Sequence, residues 1–390
     1  MKRWKLVGTA ALAAVLAFGC ATKESAAADK GAQVGGDCCA DLDERVAELE
    51  ASVARKGNQK VRLVISGQVN QALIWHNRDE IDRNKIVDND IGESRINLRG
   101  SAEINAQWSA GFAIVMGLGD AINEGANVDV RENYVWLKIK NFGTIKFGKH
   151  SMATDGIQEI SLSSGASNAS VLGSLSPFDD FIRLQTGFGL TNPLDGGRKD
   201  GVSFSSSSLA GFSVSASWGD DESWEAALRY AGEFGDIRVA GGIGYRDEEE
   251  TAFPRTYWGG SASIQHLPSG IFVDGFYGKS EGVQTATFDL VPDIRFTFAL
   301  GDTTVTAYGG RAGIDIRGSE VGKTTIFGEY QILEIDGAGD NPMLYGVGIN
   351  QAIDAAAMDI YLSYRHIDLN GAFGIDETAD VVTAGAKIRF

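Results

Sequence analysis

The feature that most constrains this chain's fold is an alternation of apolar and polar residues with a period of two, which recurs in separate segments across residues 60–390. In the first such segment Leu63 and Ile65 share one face, whereas Arg62 and Ser66 lie on the other. Alternation of this kind indicates β-strands with two different environments on their faces. The alternating segments are residues 61–75, 94–105, 111–119, 130–140, 143–149, 200–208, 212–219, 223–232, 236–246, 256–265, 271–278, 303–316, 324–335, 344–353, 358–367 and 380–390. We therefore predict an all-β protein with about sixteen strands.

The connections between these segments alternate between short and long. Short ones include residues 141–143, 209–211, 233–236 and 267–270. Long polar ones include residues 77–92, 120–127, 247–254, 281–302, 336–343 and 369–379, although residues 283–300 leave room for another strand. A short connection near Asp220 is the exception. Short turns on one rim and long loops on the other are typical of an outer-membrane barrel.

The polar face of the alternation is rich in Ser, Asn, Gln, Gly and charged residues, which suits a wet interior. In lipid an open sheet edge would leave backbone groups unsatisfied, so the sheet must close. A barrel of about sixteen strands is wide enough for an aqueous channel. We therefore predict a transmembrane antiparallel β-barrel. Aromatic residues near the strand ends fit interface girdles as a set, namely Trp75, Trp108, Tyr134, Trp136, Trp218, Trp224, Tyr257 and Trp258.

The N-terminus reads as an export signal. A basic start with Lys2, Arg3 and Lys5 precedes an apolar run, and residues 26–28 supply small residues for cleavage. We predict a removed signal peptide at residues 1–28, with a lipoprotein site at Cys20 as the alternative. Only two other cysteines are present, Cys38 and Cys39, and a role in cross-linking subunits is a guess.

Residues 29–59 form a predicted periplasmic linker with a short helix at residues 41–56. Its seam residues follow a heptad spacing: Leu42, Val46, Leu49 and Val53. Two heptads are too few to associate alone. The helix is therefore either a coiled coil among chains that are already held together, or an amphipathic helix on its own protein.

The last strand ends on an aromatic residue. In residues 382–390 the apolar side chains fall on every second position up to Ile388 and Phe390. A terminal aromatic after such an alternation resembles the signal that outer-membrane assembly machinery recognises.

Several functional classes are disfavoured. The formal charge of −17 argues against nucleic-acid binding, which needs a basic surface. Residues 318–324 read GSEVGKT, but the first glycine of a phosphate loop is replaced by Arg317, so we interpret them as a turn. The four histidines lack metal-ligand spacing, and no serine forms a recognisable catalytic triad. We expect no enzyme, no cofactor and no metal.

The stretch 150–197 has no sustained period, and it is too long for an ordinary loop in a compact domain. We therefore expect it to be functional, folding into the lumen and narrowing it. Its Ser- and Gly-rich middle we interpret as filler that lets the loop turn.

The domain at residues 60–390 resembles the Gram-negative general porins. The resemblance is carried by SRINLRGSAEIN, by VRENYVWLKIKNFGTIKFGKH with the following ATDGIQEISL, and by the terminal AGAKIRF. The segment ERVAELEASVARKGNQKV resembles a short coiled-coil leader of a porin subgroup. This resemblance implies a trimeric barrel of sixteen strands, in which the loop at residues 150–197 is the third external loop and bends into the pore.

The resemblance also implies a constriction between acidic loop residues and basic wall residues. The loop candidates are Asp155, Glu159, Asp179 and Asp180, and the wall candidates are Arg95, Arg99, Arg131 and Lys146. By strict alternation an inward Arg131 leaves Glu132, Tyr134 and Trp136 facing outward.

The predicted function is a homotrimeric outer-membrane porin for passive diffusion of small hydrophilic solutes and ions. The acidic balance of the chain predicts a mild cation preference. Its partners would be outer-membrane lipid and the barrel-assembly machinery. A substrate-specific channel and a structural barrel tethered to the periplasm are the alternatives.

Overall fold

The structure is a computed structural model of the 390-residue chain. It describes residues 60–78, 81–89, 91–118, 128–170, 189–190, 196–220, 222–248, 254–291, 294–370 and 378–390. These residues belong to one compact unit, Gly57–Phe390. The signal peptide, the three cysteines and the predicted seam at Leu42, Val46, Leu49 and Val53 lie outside the described residues. Among the helices described, none is long and apolar enough to cross a membrane.

Eighteen strands, one α-helix and one 3₁₀ helix make up the described secondary structure. The strands are β1 (Arg62–Arg78), β2 (Ile81–Asp88), β3 (Arg95–Glu103), β4 (Trp108–Gly117), β5 (Asp129–Ile139), β6 (Gly143–Ser151), β7 (Gly189–Leu190), β8 (Arg198–Ser206), β9 (Phe212–Gly219), β10 (Trp224–Phe234), β11 (Ile237–Asp247), β12 (Arg255–His266), β13 (Ile271–Val291), β14 (Ile294–Ile316), β15 (Thr324–Ile335), β16 (Met343–Ile353), β17 (Met358–Asp368) and β18 (Thr378–Arg389). Helix α1 spans Ser164–Ala169, and the 3₁₀ helix spans Asp354–Ala356.

All strands except β2 and β7 form a closed antiparallel barrel of sixteen strands, which confirms the predicted fold class. The barrel closes where β1 pairs with β18 through Gln68–Asn77, while the lower part of β1 pairs with β3 through Arg62–Gln68. This offset between the two edges of one strand is the stagger that barrel closure requires.

The terminal residue completes the seam between β1 and β18. The Phe390 amide donates to the Gly67 carbonyl at 3.1 Å, and the Gly67 amide donates to the Phe390 carbonyl at 2.9 Å. A Cβ on Gly67 would lie 2.5 Å from the Phe390 ring. Glycine is therefore needed here for the aromatic ring to lie on β1.

The two rims differ as predicted, with two corrections. Tight turns close one rim, for example at Asn141 and Gly235, whose φ angles are 62° and 59°. Residues 77–92 are not simply a long loop, because β2 folds back on β1 as a hairpin. Residues 281–302 likewise continue β13 and β14 as a paired hairpin. Both hairpins extend pairing where the sequence predicted polar loops.

The outer face is apolar and carries aromatic residues at the rim of the long connections. Trp218, Trp224 and Trp258 are exposed there, in agreement with the predicted girdle. Tyr134, Trp136 and Tyr257 are corrections. Tyr134 and Trp136 share the inner face with Lys146, and Tyr257 is fully buried inside the barrel with the Arg246 guanidinium 5.2 Å from its ring centroid.

Candidate functional site

Residues 152–170 leave β6 and run along the inner wall of the barrel. The backbone amide of Ile160 donates to Ser261 Oγ at 3.1 Å, and that of Leu162 donates to Ser263 Oγ at 2.9 Å. Both wall serines are buried. Since a buried backbone amide is costly without a partner, these hydroxyls fix the path of the loop against β12.

The loop serines in turn donate to buried wall carboxylates. Ser161 donates to Asp274 at 2.8 Å, Ser163 to Asp315 at 2.8 Å, and Ser170 to Glu329. Hydrogen bonds to charged acceptors are stronger than those between neutral groups. The prediction that the Ser-rich middle is filler is therefore wrong for residues 161–170, whose hydroxyls are anchors.

Two wall glycines let the loop lie close to the barrel. A Cβ on Gly242 would come within 2.7 Å of the Ile157 side chain, and one on Gly278 within 2.0 Å of Gln158. Both loop side chains are buried. The glycines on these two strands thus provide space for the loop.

The start of the loop is held by β10. Thr154 donates to Glu225 through its amide at 2.8 Å and its hydroxyl at 2.7 Å. Arg229 of the same strand donates to the carbonyls of Ala153 and Asp155 at 2.9 and 3.1 Å. Sequence reasoning missed both wall residues, because each looks like any other polar residue on the lumen face.

The acidic loop candidates fall into two groups. The Asp155 carboxylate lies 3.9 Å from the Arg198 guanidinium at the start of β8. Glu159 lies four residues further along the same segment and is half-buried. Asp179 and Asp180 lie outside the described residues.

A β-bulge orients the wall side of the site. Arg131 lies between Val130 and Glu132, which both have partners in β4, but has none itself. The extra residue restarts the alternation, so that Arg131 and Glu132 face the lumen together. The prediction that Glu132, Tyr134 and Trp136 face outward is therefore wrong.

The basic candidates Arg99 and Lys146 share the inner face with Tyr134. The buried Ala113 of β4 pairs with Arg99 of β3 on one side and with Tyr134 of β5 on the other. The Lys146 ammonium is 5.1 Å from the Tyr134 ring centroid, and it interacts electrostatically with Asp155. Arg99, Lys146 and Asp155, which were all predicted from the sequence, therefore lie close enough to interact electrostatically.

A second inward segment, residues 91–94, reaches the same region. Gln68 Nε2 donates to the Gly92 carbonyl at 2.6 Å, and Glu93 forms an ion pair with Arg131. Burial raises the pKa of Glu93, and the charge of Arg131 opposes this rise. The charges of Arg131 and Glu93 also act on Arg95. The sequence analysis gave Glu93 no role.

The site therefore consists of a loop bound to one part of the wall and a group of opposed charges on the other part. The charged side chains around it, besides the anchors, are Glu93, Arg95, Arg99, Arg131, Glu132, Lys146, Asp155 and Arg198. Such an arrangement sets a width and a transverse field, which act on passing ions and water. Within the described residues no cluster of His, Cys, Asp and Glu could hold a metal ion.

Comparison with known proteins gives a consistent result. A family model described as Gram-negative porin matches residues 10–387. No curated protein sequence matches the chain. Among solved structures, the anion-selective porin from Comamonas acidovorans is 14% identical, with a TM-score of 0.59 over 85% of this chain and 100% of its own. A loop L8 deletion mutant of OmpT, an outer membrane protein of Vibrio cholerae, is 16% identical, with a TM-score of 0.58 over 85% and 100%. In-vitro folded OmpT of Vibrio cholerae in its trimer form is 16% identical, with a TM-score of 0.57 over 85% of this chain and 100% of its own. At these identities the likeness concerns the fold.

Proposed function

The chain belongs to the Gram-negative porin family and is an outer-membrane channel, and from that premise we propose that it passes small hydrophilic solutes and ions by passive diffusion. The observation that carries this proposal is the path of residues 152–170. They follow the inner wall from Thr154, which donates to Glu225 of β10, to Asn168, which accepts from Lys387 of β18. Solutes would pass between this part of the loop and the charged wall residues of β3, β5 and β6.

We propose that Asp155 and Glu159 form the loop side of the constriction. Asp155 supports this assignment because it already faces Arg198 across 3.9 Å. From the sequence alone we propose the same role, as acidic residues on the loop side of the constriction, for Asp179 and Asp180. The wall side is formed by Arg95, Arg99, Arg131 and Lys146, together with the Glu93 and Glu132 carboxylates found beside them.

The proposed mild preference for cations rests on the acidic balance of the chain. Asp and Glu number 52, against 35 Lys and Arg. Near the constriction, carboxylates such as Glu93 and Asp155 partly neutralise the wall cations Arg131 and Arg198. The remaining field is then set by the acidic surroundings, which raise the local concentration of cations.

We propose that the channel is a homotrimer, as the OmpT trimer form is for that protein. The outer surface supports one arc as the subunit interface. At the external ends of β9–β17 outward Trp and Tyr residues follow one another from strand to strand, as in the pairs Trp224–Tyr245 and Trp258–Tyr277 with ring centroids 5.2 and 5.1 Å apart. Among the described outward residues at the external ends of β3–β6 there is no Trp or Tyr.

That arc instead exposes aliphatic residues such as Val135. Trp and Tyr mark surfaces that meet the lipid interface. An arc without them is therefore suited to contact with a second copy of the chain.

The remaining assignments follow from the same proposal. Residues 1–28 would be removed on export, and residues 29–59 would lie in the periplasm with both chain ends. Ile388 and Phe390 would be read by the barrel-assembly machinery, and their exposure of 44% and 63% on the outer face supports this.

The experiment that tests the function is reconstitution of the purified protein in a planar bilayer. We expect discrete conductance steps that grow in proportion to salt concentration. Block by one solute at micromolar concentration would instead indicate a substrate-specific channel. The absence of steps from folded protein would indicate a structural barrel.

A further inference from the structure

We propose that Lys387 in the last strand is a positioning residue that holds the tip of the constriction loop, so that the seam closing the barrel also sets the pore. This inference rests on the proposed channel function. It concerns residues on the inner face of β18, whereas the assembly signal predicted from sequence concerns its outer face.

We call helix α1 the tip because it lies at the end of the described stretch 152–170 of the loop; its six residues are too few to be stable alone. Its Ala166 and Ala169 are fully buried against Tyr361 and Phe327 of the wall, and Ala72 of β1 belongs to the same cluster. The helix therefore depends on wall contacts near the seam.

Guanidinium groups meet the carbonyls at the end of α1. Arg365 donates to the Ala169 carbonyl at 3.1 Å, and Arg311 donates to the Ser170 carbonyl at 2.9 Å. These carbonyls have no partner within a helix that ends here. Both arginines are themselves held by carboxylates, Arg311 by Asp274 at 2.8 Å.

Lys387 differs from these arginines. Its ammonium donates to the Asn168 side-chain oxygen, and within the described residues no carboxylate lies at ion-pair distance from it. The residue is only 6% exposed. Because a buried ammonium is costly without hydrogen bonds, Asn168 is the contact that its position favours.

Arg389 supplies the second donor to the same oxygen, at 3.3 Å, and is held in turn by Asp359 at 2.6 Å. Two cations of β18 thus converge on Asn168. The Asn168 amide nitrogen also donates to Asn350 at 3.5 Å. One side chain at the tip of the loop, Asn168, is therefore shared between the last strand and β16.

Lys387 also lies next to the second inward segment, the one that contains Gly92. Lys387 lies opposite Asn70 of β1 in the seam, and a Cβ on Gly92 would be 3.8 Å from its ammonium. Asn70 in turn donates to the Gly92 carbonyl at 3.0 Å. Lys387 therefore lies between α1 and residues 91–94, which are both described segments that lie inside the barrel.

Releasing Asn168 should let the loop tip leave the wall and enter the lumen. Lys387→Met removes both the hydrogen bond and a charge. Asn168→Leu removes this hydrogen bond, together with those to Arg389 and Asn350, with no change of charge and little change of size, so it separates positioning from electrostatics. Lys387→Gln removes the charge but keeps a donor for Asn168.

The test is single-channel recording of the full-length protein and these variants, with band shifts of boiled and unboiled samples to verify folding. We expect Asn168→Leu and Lys387→Met to give lower mean conductance and greater open-channel noise than wild type. The double variant should resemble Asn168→Leu, because Lys387 acts on the loop through Asn168. Lys387→Gln should have the same open-channel noise as wild type. If Lys387→Met does not fold, the comparison of Lys387→Gln with Asn168→Leu still tests the proposal.

The inference is overturned if Lys387→Met changes the conductance and Asn168→Leu does not, or if the two effects add. The matched control is Lys140→Met, which removes one exposed cation from the short-turn rim and should have no effect. A wild-type protein without conductance steps would contradict the proposed function, whereas unchanged variants of a conducting wild type would contradict only this inference.

Discussion

Thr154 and Glu225 are joined by two hydrogen bonds that converge on one carboxylate oxygen, Oε2, at 2.8 and 2.7 Å. Thr154 is the third residue after β6, so this contact fixes the direction in which the loop leaves the wall. Glu225 is 2% exposed, which gives its charge little screening by water.

Glu225→Ala should therefore loosen the start of the loop. Each hydrogen bond to a charged group contributes about 1.5–3 kcal/mol. We expect greater open-channel noise and faster proteolysis within residues 152–170, with barrel folding retained. Glu222→Ala, an exposed acid in the turn before β10, is the control. Proteolysis and noise equal to wild type in Glu225→Ala would show that the loop is held without this contact.

The selectivity prediction concerns Asp155 and Glu159. Their joint replacement by Lys should reduce or invert the cation preference, because it turns the loop side of the constriction from acidic to basic. The measurement is the reversal potential across a salt gradient. Joint replacement of Asp236 and Asp340 by Lys gives the same charge change at exposed rim positions and should have a smaller effect. Equal shifts in the two double variants would remove Asp155 and Glu159 from the constriction.

The trimer prediction compares two exposed aliphatic residues on different arcs. Val135 is 57% exposed on the arc without Trp or Tyr, and Ile243 is 65% exposed below the aromatic row. Val135→Arg should reduce the heat-sensitive oligomer band in detergent gels. Ile243→Arg faces lipid, where arginine costs about 2–4 kcal/mol at the membrane centre, and should lower yield without dissociating subunits. The reverse pattern would assign the interface to the other arc.

The pH prediction concerns Glu248, which follows β11 and lies 2.7 Å from the Lys199 ammonium. Burial alone would raise its pKa, but Arg246, Arg255 and Lys199 together lower it to about 2 from 4.5. Because the folded-state pKa is depressed, the ionised carboxylate stabilises the folded protein above pH 4.5, and this contribution is lost as pH falls toward 2.

The size of that contribution is roughly 3 kcal/mol, from 1.36 kcal/mol per pKa unit. Wild type and Glu248→Gln should therefore differ in thermal stability at pH 6, and the difference should shrink between pH 4.5 and 2. A difference that stays constant over this range would mean that the carboxylate does not titrate as the ion pairs require.

The strands were predictable because lipid and water impose different side chains on the two faces of every strand. The bulge at Arg131 was not predictable, because the segments before and after the extra residue both still alternate. The bulge shows only when β4 is placed beside β5. For residues 281–302 the sequence left room for another strand but did not show its partner. The pairing appears only when β13 and β14 are placed side by side.

The candidate site was predictable only in part. The loop was singled out by its length and missing periodicity, and four wall cations were proposed through family resemblance, but their partners were not predicted. Ser163 and Asp315 are 152 residues apart, and on the sequence Asp315 is one polar lumen residue among many. Only the closed barrel, which carries the loop across to β14, shows which carboxylates anchor it.

We propose that the gap between the loop and the wall at Asp155 is the narrowest part of the conduction path. The decisive measurement is the single-channel current through an Asp155→Cys variant, with Cys20, Cys38 and Cys39 replaced by Ser, after addition of a bulky thiol reagent. We expect a stepwise fall in current as each pore is modified, and no fall in the cysteine-free parent. Complete modification, verified by mass, with unchanged current would show that the narrowest part lies elsewhere.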